Sequence, residues 1–352
     1  MKTDGMKTWR HVPTGPSTGQ RKKGIVRMDA RVDRRHFLKG AVTAASAATA
    51  AFGLEEQILV SHLAQAGPVP SLPDDALTPM PRGKIGNVSV SRLICGGNLI
   101  GGWAHSRDLI YVSRLFKSYN TEEKILETLH LCEQQGVNTI LTNPVSGGVI
   151  NRYWNEKGGK IQWISEVHPT PDDYKTTVQS AVDNGASLAY IQGAVGDRLV
   201  ADGQLELIAK TVTFIKESGL PAGVGAHALG VITACESAGI NPDFYVKTLH
   251  SEDYWSARKP DQTTEVIRNP HDNFWCSDPA ETIAFMKQVT KPWIAFKVLA
   301  AGAIHPEQGF RYAFENGADF ICVGMFDFQV ADDANIAIAA VSDSRRERPW
   351  QA

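Results

Sequence analysis

QLELIAKTVTFIKESGLPAGVGAH, residues 204–227, contains one complete helix–strand unit. Apolar residues recur at helical spacing through its first part, and Gly219 follows as a residue that commonly ends a helix. Pro221 then separates this segment from the short apolar run Ala222–His227, which is typical of a buried strand. The stretch therefore predicts a helix over 204–218 and a strand over 222–227.

The same alternation continues from about residue 88 to the end of the chain. The eight candidate strands span 93–97, 139–143, 162–167, 188–192, 222–227, 244–249, 293–298 and 320–324. Capping signals begin helices between them, at Thr121 and at Asp278 for example. Eight such units over about 250 residues are typical of a (β/α)8 TIM barrel. The turn 96–102 lacks the glycine spacing of a doubly wound nucleotide-binding sheet, so we predict an α/β fold with a single barrel.

The net charge of −2 combines two unlike parts of the chain. Residues 1–39 carry eleven basic and three acidic side chains, whereas the chain from residue 67 onward carries 25 basic and 33 acidic ones. The acidic body argues against nucleic acid as a partner. With 43% hydrophobic and 21% charged residues, the composition also excludes a disordered or collagen-like chain.

The basic excess lies in a leader with an ordered pattern. Arg34-Arg35-His36-Phe37-Leu38-Lys39 precedes the uncharged run Gly40–Leu54, and Ala64-Gln65-Ala66 follows. This order resembles a twin-arginine signal peptide, which implies the twin-arginine translocation machinery as a partner and a periplasmic or otherwise exported protein. Fifteen uncharged residues are too few to span a bilayer, so we expect no stable membrane anchor after cleavage. The predicted division is a leader at 1–66, a linker at 67–87 and the barrel at 88–352.

Polar residues stand where several predicted strands end. In a TIM barrel this edge carries the active site. Glu166, His168, His227 and His250 offer the carboxylate and imidazole donors that divalent transition metals accept, and we predict a metal site there, with Zn or Mn as the leading ions. For each histidine, a hydrogen-bonded structural role is the alternative.

Lys247 and Lys297 are the candidate catalytic residues. A desolvated lysine at a barrel mouth can act as a general base or form a Schiff base. Counting by two along strand 7 places Lys297 inward with Ala295, so Lys297 is the favoured proton carrier. Its alternative role is an ion pair with a barrel carboxylate such as Glu166.

Two predicted loops, 104–118 and 251–277, exceed the usual two to six residues. The second is rich in aromatic residues, which could stack on a sugar ring and exclude water. Together with polar strand ends, these loops predict a small carbohydrate-like substrate. The candidate substrate-binding residues are Asn98, Asn143, Gln192, Tyr254, Trp255 and Trp275.

Three segments resemble the aldo-keto reductases. Ser91–Gly97 is similar to the opening strand of that family, Gln135–Ile140 to its second unit, and Gly219–His227 to its fifth. The resemblance implies a TIM barrel, and it implies carbonyl reduction with NADPH by an Asp–Tyr–Lys–His set.

That catalytic set is not matched residue by residue. The family's Asp position falls on Asn143, its Lys position near Glu166 and its His position near Gln192, while Tyr153 is the nearest tyrosine. The resemblance therefore supports the fold more than the reaction.

Taken together, the sequence predicts an exported, metal-dependent isomerase, epimerase or lyase. The metal would hold adjacent substrate oxygens, and Lys297 would move a proton at the neighbouring carbon. The alternatives are an NAD(P)-dependent oxidoreductase of the aldo-keto reductase type, a Schiff-base aldolase using Lys247 or Lys297, and a non-catalytic periplasmic sugar-binding barrel.

Overall fold

A computed structural model describes residues 79–106, 109–261 and 275–352. The twin-arginine pattern, its cleavage site and most of the predicted linker lie outside the described residues, as does the segment 262–274. Within the described ranges, no helix is both long enough and apolar enough to cross a membrane.

An antiparallel hairpin precedes the barrel. Strand β1, Arg82–Ile85, pairs with β2, Val88–Ser91, so the hairpin begins inside the stretch that the sequence assigns to the linker. Ile85 and Val90 are fully buried and pack in one cluster with residues near the start of the barrel strands, such as Phe244 and Phe320. The hairpin therefore fills the amino-terminal end of the barrel with apolar side chains.

Eight parallel strands form a closed barrel, as predicted, in which β10 pairs with β3. Each strand begins where the sequence places it and ends at most two residues earlier. They are β3 Leu93–Gly96, β4 Thr139–Thr142, β5 Gln162–Val167, β6 Leu188–Ile191, β7 Ala222–Ala226, β8 Phe244–Thr248, β9 Trp293–Phe296 and β10 Phe320–Val323.

Eleven α-helices are described in the same ranges, most of them between consecutive strands. They are α1 Gly97–Ile100, α2 Val112–Tyr119, α3 Glu122–Gln134, α4 Gly147–Lys157, α5 Thr176–Asp183, α6 Gly193–Ala201, α7 Leu205–Glu217, α8 Leu229–Ser237, α9 Pro279–Met286, α10 Pro306–Glu315 and α11 Val330–Asp343. The predicted caps are present, since Thr121 Oγ1 accepts from the Lys124 amide and Asp278 Oδ1 accepts from the Glu281 amide at 2.8 Å.

Strand residues alternate between two apolar layers. Val246 belongs to the cluster inside the barrel, whereas Tyr245 belongs to the cluster between the strands and the helices. The glycines of β7 face inward, as predicted. A Cβ on Gly225 would lie 2.6 Å from the Ile191 carbonyl oxygen and 2.9 Å from the Tyr190 ring. Small residues on β7 thus leave the interior to the large side chains of β6 and β8.

A buried ion cluster attaches the end of the chain to the barrel. Asp319, fully buried just before β10, accepts a 2.7 Å hydrogen bond from Arg348 Nη1 and lies 3.6 Å from Arg346 Nη2. Its other contacts are the amides of Trp293 and Gln351. The cluster therefore joins β9, β10 and the C-terminal segment through one carboxylate.

Candidate functional site

His227 and Asp197 form a buried pair at the carboxyl end of β7. His227 follows the last residue of the strand, and Asp197 projects from α6, the preceding crossover helix. The Nδ1 atom of His227 lies 2.7 Å from Asp197 Oδ2, while Asp197 Oδ1 accepts from the amides of His227 and Ala228 at 3.0 Å each. The carboxylate thus fixes both the ring and the backbone of the histidine.

Burial dominates the electrostatics of this histidine. Burial lowers the pKa of His227, and the hydrogen bond to Asp197 raises it. The nearby charges of Lys297 and Lys247 lower it further. His227 is therefore held as a neutral imidazole. The Trp275 ring lies 4.8 Å from the imidazole centroid and the Phe296 ring 5.3 Å from it, so aromatic side chains exclude water from two sides.

Lys247 lies beside this pair with only 1% of its surface exposed. Its parity on β8 places it outside the inner cluster, on the same side of the strand as Tyr245. The ammonium donates to the carbonyl oxygen and to Oγ1 of Thr248, both at 2.9 Å. Burial lowers the pKa of Lys247, against the opposing influence of Cys276 and Asp197. The amine is consequently easier to deprotonate than an exposed lysine.

Lys297 lies in the same region, but the parity of its strand is the opposite of the predicted one. Ile294 is in the inner cluster and Phe296 packs against it, so the parity assumed for strand 7 is wrong: Ala295 faces the helices. The strand ends at Phe296, and Lys297 adopts a φ of 58°, which redirects the chain. Its Nζ atom lies 4.0 Å from the centroid of the Trp275 ring, on which it stacks as a cation.

The predicted four-ligand metal site is not assembled. Among the described residues, which include all four candidates, no group of three His, Cys, Asp or Glu side chains is placed to hold an ion. Both ring nitrogens of His250 are engaged, since Nδ1 lies 2.9 Å from the Ser251 carbonyl oxygen and Nε2 accepts from the Cys276 amide at 3.1 Å. His227 is engaged by Asp197 through Nδ1 alone. The described arrangement therefore does not group the four predicted ligands around one ion.

Glu166 and His168 form a second, separate polar cluster at the barrel mouth. Glu166 points inward, as predicted, and accepts from the Tyr190 hydroxyl at 3.1 Å and from Asn143 Nδ2 at 3.3 Å. His168 Nε2 lies 3.4 Å from the same carboxylate. This cluster is distinct from the His227 pair. Tyr153, by contrast, lies in α4 and donates to Glu133, in the helical layer.

The predicted substrate-binding residues divide into two groups. The first group makes hydrogen bonds with backbone amides. The side chain of Asn143 accepts from the Val145 amide, and that of Gln192 caps α6 by accepting from the Val195 amide. For Asn98 it is the backbone carbonyl that accepts, from two amides. Trp275 is buried against His227, and the Tyr254 ring lies 5.8 Å from His250. Trp255 is 91% exposed.

A pocket of about 260 Å³ opens between the beginnings of α8 and α9. Its lining residues are His227, Ala228, Leu229, Gly230, Thr233, Lys247, Ser277, Asp278, Glu281 and Thr282. A larger surface groove of about 430 Å³ beside α7 contains none of the predicted site residues. Of these two, the smaller pocket is the candidate site because its lining contains both His227 and Lys247.

Asp197 is the main residue that the sequence did not reveal. It lies inside a helix, where a carboxylate normally faces solvent. Gly193 and Gly196, on the same helix, are the sequence signal for a close approach to β7. A Cβ on Gly196 would collide with the carbonyl oxygen of Gly225. The two glycines let α6 approach β7 closely enough for Asp197 to reach His227.

We expect acidification to destabilise the protein through His250. Burial lowers its pKa to about 4, whereas an unfolded histidine titrates near 6.5. As the pH falls from 6.5 to 4 the unfolded chain binds this proton first, so stability is lost across that window, by up to about 1.4 kcal/mol per pH unit. Urea unfolding at pH 7, 5.5 and 4.5 should show the wild type losing more stability than H250N.

The exposed His130 supplies the control for this measurement. The variant H130N should follow the wild-type pH profile. Because His227 acts in the same direction, only the difference between the wild type and H250N reports on His250. Parallel profiles for these two proteins would contradict the prediction.

Comparison with known proteins supports the fold. Two solved structures from Pseudomonas aeruginosa, both described as proposed aldo-keto reductases, match with TM-scores of 0.52 and 0.51 at 15% identity. They cover 74% and 76% of this chain and 95% and 99% of their own. A phospho-2-dehydro-3-deoxyheptonate aldolase from Thermotoga maritima has a TM-score of 0.44 at 12% identity, covering 75% of this chain and 74% of its own.

No protein-family model and no curated protein sequence matches the chain. The two structures with TM-scores above 0.5 establish a TIM barrel without establishing a reaction.

Proposed function

We propose that this protein is an enzyme that moves a proton at a carbon atom of a small carbohydrate-like molecule, in the isomerase, epimerase or lyase class. One observation carries the proposal: Asp197 holds His227 Nδ1 at 2.7 Å, and the histidine lines a pocket together with the buried Lys247. Export of this enzyme is part of the proposal through the twin-arginine pattern of the leader.

The hydrogen bonds define the state of the imidazole. A carboxylate that accepts from two backbone amides is an acceptor toward the ring as well, so Nδ1 carries the proton and donates it to Asp197. In the neutral imidazole, Nε2 is then the unprotonated nitrogen. The pair therefore presents a base to the pocket, held in one tautomer and one orientation.

Lys247 supplies the complementary charge. Removal of a proton from a carbon beside a carbonyl group places negative charge on the carbonyl oxygen, and a cation in a dry pocket stabilises that charge far better than one in water. Lys247 is buried, lines the same pocket as His227 and keeps one N–H beyond the two it donates to Thr248. His227 then returns the proton to the same or a neighbouring carbon.

The metal role expected from the sequence has no part in this mechanism. Both ring nitrogens of His250 are engaged, and the four predicted ligands are not grouped around one point in the described residues. Proton transfer by His227 requires only groups that the structure brings together.

Deuterium exchange tests the proposal. The full-length protein is incubated in D₂O with a panel of aldoses, ketoses and sugar acids, and NMR follows exchange of protons bound to carbon. H227Q removes the base while keeping a polar side chain of similar size, and we expect it to slow exchange by at least about 10²-fold. H130Q, on the outer helix α3, should exchange at the wild-type rate. Equal rates for H227Q and the wild type would contradict the assignment of the base.

A further inference from the structure

The first turn of α8 presents uncapped backbone donors to the pocket. Ala228 occupies the N-cap position without a side-chain hydrogen bond, and the first turn contains no acidic residue. The amides of Leu229 and Gly230 have no acceptor among the described residues, and both residues line the pocket. Such N–H groups, together with the helix dipole, favour a negative charge.

Two buried side chains point independently to a ligand at the same place. His227 is 93% buried, given its exposed fraction of 7%, and its Nε2 atom has no hydrogen-bond partner in the described part of the chain. Lys247 is buried, its amine donates to Thr248, and no carboxylate among the described residues lies within ion-pair distance of it. A bound anion would supply the counter-charge that a protonated Lys247 needs in this buried position.

We infer that the substrate of this pocket is a carboxylate-bearing sugar derivative, a sugar acid, whose carboxylate binds the Leu229 and Gly230 amides beside Lys247. This inference rests on the proposed function, which it deepens by naming the substrate class. With the carboxylate at the start of α8, the neighbouring carbon atoms of the substrate lie toward His227, the residue that precedes that turn.

The opposite wall of the pocket favours a single negative charge over two. Asp278 and Glu281, at the beginning of α9, line that wall and carry carboxylates of their own. A doubly charged phosphate would meet more of their repulsion than a singly charged carboxylate, which needs only Lys247 as its counter-charge. The pocket volume of about 260 Å³ also suits a small molecule.

Gly230 allows a direct electrostatic test. Its φ is not positive, and a Cβ added there meets no atom within 4 Å, so a side chain fits without strain. G230D would place a negative charge where the carboxylate binds, and G230N adds a neutral side chain of nearly the same shape. Calorimetric titration of the full-length protein uses three probes: D-gluconate, its uncharged analogue D-sorbitol, and inorganic phosphate.

We expect gluconate to bind the wild type, and G230N is the uncharged reference for G230D. G230D should bind it at least about tenfold more weakly, which corresponds to about 1.4 kcal/mol. Sorbitol should bind more weakly than gluconate to the wild type. Equal binding of gluconate and sorbitol, equal gluconate affinities of G230D and G230N, or tighter binding of phosphate than of gluconate would each overturn the inference.

The titration is separable from the catalytic proposal. Gluconate binding that follows the expected pattern in a protein whose exchange does not depend on His227 would refute the catalytic role and leave the carboxylate site standing. Exchange that depends on His227 without preferential gluconate binding would refute the carboxylate site and leave the catalytic role standing.

Discussion

Asp197→Asn is expected to lower the rate of carbon-bound proton exchange by about 10³- to 10⁴-fold. The reason is a change of tautomer. An asparagine at this position can keep its carbonyl oxygen on the His227 and Ala228 amides, where Oδ1 now lies. Its NH₂ group then faces His227 Nδ1 in place of Oδ2 and donates to it. The ring proton is forced to Nε2, and the base directed at the pocket is lost.

Exposed Asp202, just past the end of α6, provides the matched control. D202N removes a carboxylate from the same helix without touching His227, so its exchange rate should equal that of the wild type. Thermal unfolding of D197N confirms that the protein remains folded. Exchange by folded D197N within a few-fold of the wild type would show that Asp197 does not orient the base.

The barrel was predictable because its signals are local and repeated. Buried parallel strands are short apolar runs, and the caps at Thr121 and Asp278 depend on neighbouring residues alone. The site is different, since its members come from β7, β8 and α6 and meet only in the folded chain. Sequence indicated His227 and Lys247 as polar residues at strand ends, but it gave no reason to pair His227 with a helical aspartate.

Two expectations depended on side-chain directions near the ends of strands. The inward placement of Lys297 assumed the wrong parity, because Ile294 and Phe296 are the inner residues of β9, and a positive φ at Lys297 then redirects the chain. The metal site needed free nitrogens on its histidines, and His250 is held by backbone groups at both of its ring nitrogens. Periodicity describes neither which parity of a wholly apolar strand faces inward nor the irregular backbone beyond its end.

The largest effect on stability is expected for Asp319→Ala. Asp319 accepts hydrogen bonds from Arg348 and from two backbone amides, and Arg346 lies 3.6 Å from it. Both arginine side chains are buried, and burial already lowers the pKa of Arg346 to about 10. Removing the carboxylate leaves these buried charges with carbonyl acceptors but without the counter-charge of Asp319, which costs about 3–5 kcal/mol.

Urea unfolding should report this loss as a lower transition midpoint, and E206A is the contrasting variant. Glu206 pairs with Lys210 on the exposed surface of α7, where solvent screens the pair and removing the carboxylate changes stability little. D319N retains the shape of the side chain but not its charge, so it should fall between D319A and the wild type and remain measurable if D319A fails to fold. If D319N loses no more stability than E206A does, the charge of Asp319 does not hold the C-terminal segment on the barrel. The C-terminal segment would then be held by its backbone contacts and by the packing of Trp350 against Arg92 and Arg346.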